Sequence, residues 1–569
     1  MKKPLYRSFA ESFRLNIYMP ETGLIAPPAS TYRADGRLAD VMSSEKPPQS
    51  VFFEIDDELN AVTGDGTRLD TLDAYLHIIR GKAVPVVYLR TKEAAAALAE
   101  YARENHLGDM TICVPYENRA ILREARRLMP LSRGMLDVRG MELPELPELV
   151  GECSVSDAMM ILSGNDISRE TVRSLQKRFI QVWADDEGDL IPAVMSGACG
   201  VLTKEIEGFY NLLNRFPEGA TLRPVPLYAH KSFHQTGEYP ENSTAGCAAA
   251  GERGYDAAEI DVQLTEDDVM VVHHDRNTGK LFNENYVVHQ TEWETLKTAE
   301  RKAFPGYGLD RMDDLMTRMA DYPETPVLIE IKTPADTFGV EEMVRQLKEL
   351  LAREDVQKAC TCIMGTMPPY LSYIHEELPF LPVARCCRVK EQEATDEIDE
   401  NNLRIYQFAM DTRGANAGYN PYHPMISAIF TRLAHVRGIT VFPWTWAFEP
   451  WEECGEAITR SYLQGHDGLT SDWVHKFKEV PVDVRAIYDG VCPADGKVKI
   501  RAEKLMRGAG WKDAGDDIEL IRLEDGAAAA GGYDQCIRGG KRIGVGVWTE
   551  LEDGSRVCVF GRECGSEII

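Results

Sequence analysis

What the chain lacks narrows its role first. No stretch approaches the roughly 18 uninterrupted apolar residues that a membrane-spanning helix needs, so stable membrane insertion is not expected. The opening MKKPLYRSFAESFRLNIYMP has two lysines but no apolar core behind them, which argues against export by a signal peptide. Thirteen cysteines are scattered without a CxxC pair; the odd count suits reduced thiols in a cytoplasmic protein and disfavours structural zinc. Positive charge is also short. Sixty-three Lys and Arg face 91 Asp and Glu, a net charge of −28, and a field of that sign repels nucleic acid and anionic lipid. The expected partner is a small molecule, and a phosphate-bearing one needs a locally positive pocket. Histidine is scarce in the first 220 residues, where only His77 and His106 of the twelve lie.

At 569 residues the chain exceeds one ordinary domain and accommodates two barrel-sized units of about 250 residues plus a small module. Between 221 and 475, short apolar runs alternate with helical periodicity. Candidate strands are 224–230, 258–264, 269–274, 326–332, 360–364, 381–387, 405–410, 439–444 and 467–472, with helical patterns such as 340–354 and 424–436 between them. Strand and helix repeated in this way predict a parallel sheet that closes as a (β/α)8 barrel of the TIM type, although nine candidates compete for eight places.

Side chains alternate along a strand, so in AEIDVQL (258–264) Ile260, Val262 and Leu264 point one way while Glu259 and Asp261 share the other face. In PVLIEIK (326–332), Glu330 and Lys332 are paired likewise. His230 and His274 each end a candidate strand, where barrel enzymes keep their chemistry. Glu259, Asp261 and Glu330, with no cysteine beside them, make an all-oxygen site suited to Mg²⁺ or Ca²⁺. Two histidines titrating near neutrality suit general acid and base work, and Lys231 and Lys332 suit a phosphate. Together these residues point to metal-assisted phosphodiester cleavage. His234, in what reads as loop, is expected at the surface; His273 is expected to face away from its neighbour as a packing or hydrogen-bonding residue, and Cys386 and Cys387 to be buried small hydrophobes.

The ordered motifs HKS (230–232), YPEN (239–242), EIDVQLTEDDVMVVHHD (259–275), IEIK (329–332), WTW (444–446) and GHDGLTSD (465–472) resemble those of the glycerophosphodiester phosphodiesterase family over about 245 residues. The resemblance implies that Glu259, Asp261 and Glu330 are ligands of a divalent cation (Mg²⁺, Ca²⁺ or Mn²⁺) and that His230 and His274 are the acid/base pair. It places Glu241 and Asn242 on the family's PEN motif, Lys332 on its phosphate-side lysine and Trp444 on an aromatic beside the glycerol moiety. Lys231 stands where the family has arginine, substituting a point charge for a bidentate fork. The implied reaction is hydrolysis of a glycerophosphodiester to glycerol 3-phosphate and an alcohol. Alternatives are a non-catalytic barrel that binds a phosphorylated ligand, and a related phospholipase D-like enzyme.

The first 220 residues echo the second unit: LDTLDAYLHIIRGKAVPVVYLR (69–90) parallels LDRMDDLM…PVLIEIK (309–332), QVWADDE (181–187) parallels FPWTWAFE (442–449), and GACGVLTKE (197–205) parallels GHDGLTSDW (465–473). The expectation is a degenerate barrel of the same type in 1–220, with Tyr88 at the Glu330 position and Ile55, Asp56 and Asp57 at the HHD position. Such a barrel is catalytically empty and serves packing, homo-oligomerisation or substrate gating. The catalytic barrel then spans 221–480. Residues 481–569 change character: AAAAGG (527–532) punctuates, and 541–561 reads as a hairpin turning at Asp553-Gly554, so a small β-rich domain is expected.

Overall fold

A computed structural model describes residues 16–332, 339–365, 368–387, 416, 418–445, 450–491, 498–524, 536–537 and 542–563. The candidate strand 405–410, Trp446 and the 527–532 segment lie outside the described residues.

The first half is a closed parallel barrel. Its strands are β1 (Ala29–Arg33), β2 (Ser50–Ile55), then, beyond an excursion through β3 (Asn60–Val62) and β4 (Arg68–Thr71), β5 (Val84–Tyr88), β6 (Thr111–Pro115), β7 (Arg133–Asp137), β8 (Ala158–Ser163), β9 (Gln181–Asp185) and β10 (Gly200–Thr203). Each pairs with the next in parallel, and β10 returns to β1. VPVVY in β5 and AMMILS in β8 are buried along their whole length, as strands covered on both faces must be. The helices are amphipathic: in Lys92–Glu104, capped by the Thr91 hydroxyl, Ala94, Ala95, Leu98 and Ala102 form the buried stripe.

After β11 (Ala220–Thr221), a second sheet repeats the order. β12 (Leu227–Ala229) pairs in parallel with β13 (Ala257–Leu264), which leads through the antiparallel β14 (Met270–Val272) and β15 (Asp310–Arg311) and pairs in parallel with β16 (Val327–Ile331). Then follow β17 (Cys360–Gly365), β18 (Val383–Cys387) and β19 (Gly418–Pro421), while β20 (Leu469–Ser471) flanks β12 on its other side. Isolated bridges Tyr419 to Val441, Tyr422 to Trp444 and Trp444 to Thr470 run from β19 to β20. Two strand expectations need correction. The run 269–274 is an antiparallel hairpin arm on β13 and not a member of the parallel series, because only the five residues 265–269 separate β14 from β13, far too few for the crossover a parallel pair needs. The strand at 418–421, GYNP, carries a glycine and a proline and has no apolar alternation to announce it.

The tail forms antiparallel strands: β21 (Asp483–Val491), β22 (Val498–Met506) and β23 (Gly510–Asp513) form one sheet; β24 (Ile518–Arg522), β26 (Ile543–Glu550) and β27 (Arg556–Phe560) form another, with β25 (Cys536–Ile537) on β22. The β26–β27 hairpin turns through 551–555 with Gly554 at φ +83°, as its Asp-Gly predicts. These strands do not stand apart. β11, from the link between the halves, adds in parallel to β27, and Arg169 of the first half donates to Asp483 and to the carbonyls of Met195, Leu222 and Phe560 at 2.7–2.8 Å. Arg507 reaches the other way, to Asp256 and to the carbonyls of Val480 and Val225 at 3.0 Å.

Candidate active site

Strand alternation in β13 holds as expected. Ala258, Ile260, Val262 and Leu264 pack into the apolar layer under the helices, which leaves Glu259 and Asp261 on the opposite face. The parallel register sets Glu330 directly beside Asp261. Ligand oxygens of Glu259, Asp261 and Glu330 all lie within 4.8 Å of one another, and the three residues are 1%, 1% and 8% exposed.

Each carboxylate is held differently. Glu259 Oε2 accepts the Lys231 backbone N–H at 2.7 Å, whereas its Oε1 is buried with no hydrogen-bond partner among the described residues. Asp261 Oδ2 accepts from Asn242 Nδ2 at 2.8 Å; the Asn242 carbonyl oxygen in turn accepts the Asp261 N–H at 3.0 Å, so this one side chain fixes the aspartate from both ends. Lys332 Nζ lies 3.0 Å from Asp261 Oδ1 and also pairs with Glu330. Burial, followed by the Asp261 charge, pushes Glu259 up to about 8. Asp261 moves down: burial opposes this, but Lys332, His274 and Lys231 outweigh it. A buried acidic trio with an orphaned oxygen and a destabilised anion fits a hard divalent cation, whose charge would stabilise the ionised forms.

The loop after β12 turns sharply. Lys231 (φ +50°), Ser232 (φ +67°) and Asn242 (φ +50°) all adopt left-handed backbone, a strained arrangement for non-glycine residues that concentrates at this rim. Ser232 is accommodated because residue 246 is glycine: a β-carbon there would lie 2.4 Å from Ser232 Oγ. Lys231 Nζ sits 3.8 Å from Glu241 Oε1.

His230 Nδ1 lies 3.3 Å from Asp472 Oδ2. Burial lowers the pKa of this imidazole, but Asp472 reverses the sign and raises it overall. His274, at the end of the β14 arm, meets Asp275 Oδ1 at 2.7 Å and is the more open of the two, 37% exposed against 14%. Gln263 Nε2 donates to the carbonyls of His273 and Asp275 and so fixes this turn. His273 is buried against Phe282, with Nε2 3.2 Å from the Asn277 carbonyl, the packing role expected of it. Trp444 is half-buried, its ring 4.9 Å from Tyr422. Cys386 is buried, as expected, while Cys387 is partly open.

One expectation fails. His234 is not at the surface: its side chain is 7% exposed and Nε2 lies 3.1 Å from Asp472 Oδ1. The left-handed pair Lys231-Ser232 doubles the chain back, which loop composition alone does not reveal. Asp472, shared by both histidines, was present in TSD but carries no local mark of its role.

Residues 235–476 match the glycerophosphoryl diester phosphodiesterase family. The chain carries a domain of that family. The match takes in Glu241 through Trp444 and begins just after His230 and Lys231. Similar proteins include the human lysophospholipase D GDPD3, 29% identical over 198 residues, and a glycerophosphodiester phosphodiesterase of Bacillus altitudinis, 28% identical over 167 residues. These stretches span 29% and 28% of this chain and 60% and 64% of those two relatives, less than two thirds of either. Among solved structures, an Oleispira antarctica phosphodiesterase in complex with the product sn-glycerol 3-phosphate is 18% identical with a TM-score of 0.36, covering 45% of this chain and 95% of its own. A glycerophosphodiester phosphodiesterase from Parabacteroides distasonis is 16% identical with a TM-score of 0.35, covering 44% and 94%.

The first barrel has no counterpart of the family domain's rim. Both halves use the same register: Glu54 lies beside Tyr88 as Asp261 lies beside Glu330, and Glu54 opposes Val62 on the antiparallel arm where Asp261 opposes His273. By that register Thr63 stands in place of His274, which corrects the expectation that Ile55, Asp56 and Asp57 occupy the HHD position; the arm is β3, one turn later. Arg33 stands in place of His230, Phe52 of Glu259 and Arg90 of Lys332. Asp56 is a turn residue that accepts the Glu58 and Asn60 N–H groups at 2.9 and 2.8 Å. The remaining rim acids are paired internally: Arg90 with Glu54, Arg139 with Asp137 and Asp185, and Arg33 with Asp185.

Proposed function

We propose that residues 221–480 form a second (β/α)8 barrel that hydrolyses glycerophosphodiesters to glycerol 3-phosphate and an alcohol at the C-terminal ends of its strands. The observation that carries this reading is the buried trio Glu259, Asp261 and Glu330, with Glu259 Oε1 unpartnered, in a domain of this family. In this reading the trio holds one divalent cation (Mg²⁺, Ca²⁺ or Mn²⁺), which supplies Lewis-acid polarisation of the phosphoryl oxygens. His230 and His274 move the protons. With Nδ1 turned to Asp472, His230 keeps Nε2 for the substrate, and Asp275 orients His274 in the same manner. The pair divides removal of a proton from the attacking nucleophile, either water or a substrate hydroxyl whose cyclic phosphate a water then opens, and delivery of a proton to the leaving alkoxide.

Lys231 and Lys332 neutralise the phosphate, Glu241 places Lys231, and Asn242 keeps Asp261 in position. Trp444, backed by Tyr422, offers an aromatic face to the glycerol carbons. The working boundaries are 1–220 for a non-catalytic barrel, 221–480 for the catalytic one and 481–569 for the accessory strands, in a cytoplasmic protein. Assay of a panel of glycerophosphodiesters, with and without chelator and reading out glycerol 3-phosphate, tests the reading. Chelator-sensitive release restored by Mg²⁺, Ca²⁺ or Mn²⁺ is expected; rescue by zinc alone, or no release from any diester, overturns it.

A further inference from the structure

Asn242 commits both its side chain and its main chain to the rim. The side chain clamps Asp261 from both ends, the N–H donates to the Lys231 carbonyl at 2.7 Å, and the Asn242 carbonyl accepts Arg301 Nη2 at 3.1 Å. Arg301 lies 59 residues further along the chain, in the excursion between β14 and β15. It is 3% exposed, and its guanidinium is directed at main-chain carbonyls: Nε donates to Gly308 at 3.1 Å while Nη2 reaches Asn242. The same fork lies over the Phe282 ring, 4.8 Å from its centre, and that ring packs in turn against His273 at 5.8 Å. A second tie runs alongside from β15, where Asp310 Oδ2 accepts the Thr244 N–H at 3.0 Å.

We propose that Arg301 is a positioning residue for the cation site: by holding the Asn242 carbonyl it fixes the left-handed backbone from which the Asn242 side chain grips Asp261. This rests on the reading of Glu259, Asp261 and Glu330 as ligands of a divalent cation. At φ +50° Asn242 occupies a conformation that asparagine tolerates but that extended backbone competes with; in a wholly buried residue, a carbonyl that finds its donor in that conformation tips the balance. Arginine suits the task because its planar fork spans two carbonyls in fixed directions, which a single ammonium does not. Without that hold the Asn242 amide no longer presents Nδ2 and Oδ1 to Asp261 together, and the aspartate is free to turn away from the other two carboxylates. The loss is one of orientation, felt where the cation binds and not at the phosphate.

Arg301→Met keeps an apolar stem over Phe282 and removes the donors, whereas Arg301→Lys keeps the charge and one directed contact. Titration calorimetry of the full chain with Mn²⁺ is expected to show affinity about tenfold weaker than wild type in Arg301→Met and about threefold weaker in Arg301→Lys, as loss of a partner behind a metal ligand does. The Mn²⁺ concentration that half-saturates diester hydrolysis should rise in parallel, with kcat at saturating Mn²⁺ within about twofold, a split that a general loss of stability does not produce. Asn242→Gly accepts the same backbone and deletes the amide; in that background Arg301→Met should change Mn²⁺ affinity by less than about twofold, because the path through the amide is already cut. Unchanged affinity in Arg301→Met, or a full tenfold loss in the Asn242→Gly background as well, overturns the assignment. Should Arg301→Met not fold, Arg301→Lys decides, and wild-type affinity there overturns it. Wild type that binds no Mn²⁺ overturns the cation reading and this role with it, whereas an unaffected variant beside a wild type that binds overturns the role of Arg301 alone.

Discussion

Gly438 lies against Met160: a β-carbon at residue 438 would come within 1.8 Å of Met160 Sδ. Met160 belongs to β8 and points into the first barrel, alongside Val86, Met135 and Trp183, in a cluster that continues into Phe430, Leu433 and Ile439 of the second half. The contact is reciprocal. Phe179, just before β9, packs into the cluster of Tyr228, Ala257, Leu328 and Phe442 at the start of the second set of strands, 4.3 Å from the Phe442 ring. Each half therefore caps the base of the other, and the rims that would carry chemistry lie at the far ends. Asp109, wholly buried at this junction and held by Arg133 at 2.9 Å and Arg437 at 2.6 Å, joins the two.

The first prediction follows from that contact. Gly438 also has φ +64°, so Gly438→Ala combines backbone strain with a clash that only displacement of Met160 relieves. It should lower unfolding stability by about 1–3 kcal/mol, measured by urea denaturation. The double variant with Met160→Ala should lose less than the sum of the two single losses; strict additivity would show that the residues do not meet.

Arg169 is the second test, because it ties three segments distant in sequence. Its side chain is 9% exposed, and Arg169→Met leaves Asp483 and three carbonyls short of a donor. A loss of about 3–5 kcal/mol is expected, with the tail becoming protease-sensitive together with the first barrel. Selective loss of 481–563 by proteolysis, with both halves remaining folded, would instead make the tail an independent module.

A third prediction concerns acid. Burial holds the His466 pKa down at about 3, and its two ring nitrogens are occupied by Thr431 Oγ1 at 2.9 Å and Gln464 Oε1 at 3.1 Å. The unfolded chain takes up that proton near pH 6.5 and the folded chain does not, so stability from this group is complete above pH 6.5 and declines as pH falls below it. The decline is up to about 1.4 kcal/mol per pH unit. His230, with its raised pKa, works in the opposite direction, so the comparison must be with a variant: His466→Gln should show a shallower loss between pH 6.5 and 5. Equal slopes would contradict the burial.

Periodicity made the strand and helix alternation legible, and face alternation placed Glu259, Asp261 and Glu330 together, because both are local properties of an extended chain. What sequence could not supply was long-range or depended on unusual backbone. GYNP in β19 is a strand by virtue of its neighbours Ala384 to Cys387 and not by propensity. His234 is buried because two residues adopt left-handed dihedrals that neither lysine nor serine favours. The internal repeat was readable from LDTLDAYL, but the Ile55-Asp56-Asp57 alignment missed that the antiparallel arm starts after a turn. Only the β2–β3 register shows that Thr63, and not an aspartate, matches His274.

The last prediction separates the two rims. Of the three candidate cation ligands, only Asp261 has an acidic counterpart in the first barrel, Glu54, and that carboxylate is already engaged by Arg90 at 2.6 Å. Tyr88, in place of Glu330, donates to Asp137 at 3.1 Å, and Phe52, in place of Glu259, has no oxygen to offer. One carboxylate facing an arginine cannot bind a divalent ion, since a cation there would have to displace a partner of like sign. Glu54→Gln and the pair Asp56→Asn with Asp57→Asn should therefore leave the rate of diester hydrolysis within about twofold, because no contact made in the transition state is lost. Glu259→Gln or Asp261→Asn should abolish both turnover and calorimetric Mg²⁺ or Mn²⁺ binding in otherwise folded protein. A stoichiometry of two ions per chain in wild type, or loss of activity in the Asp56 and Asp57 variant at unchanged stability, would place working chemistry in the first barrel.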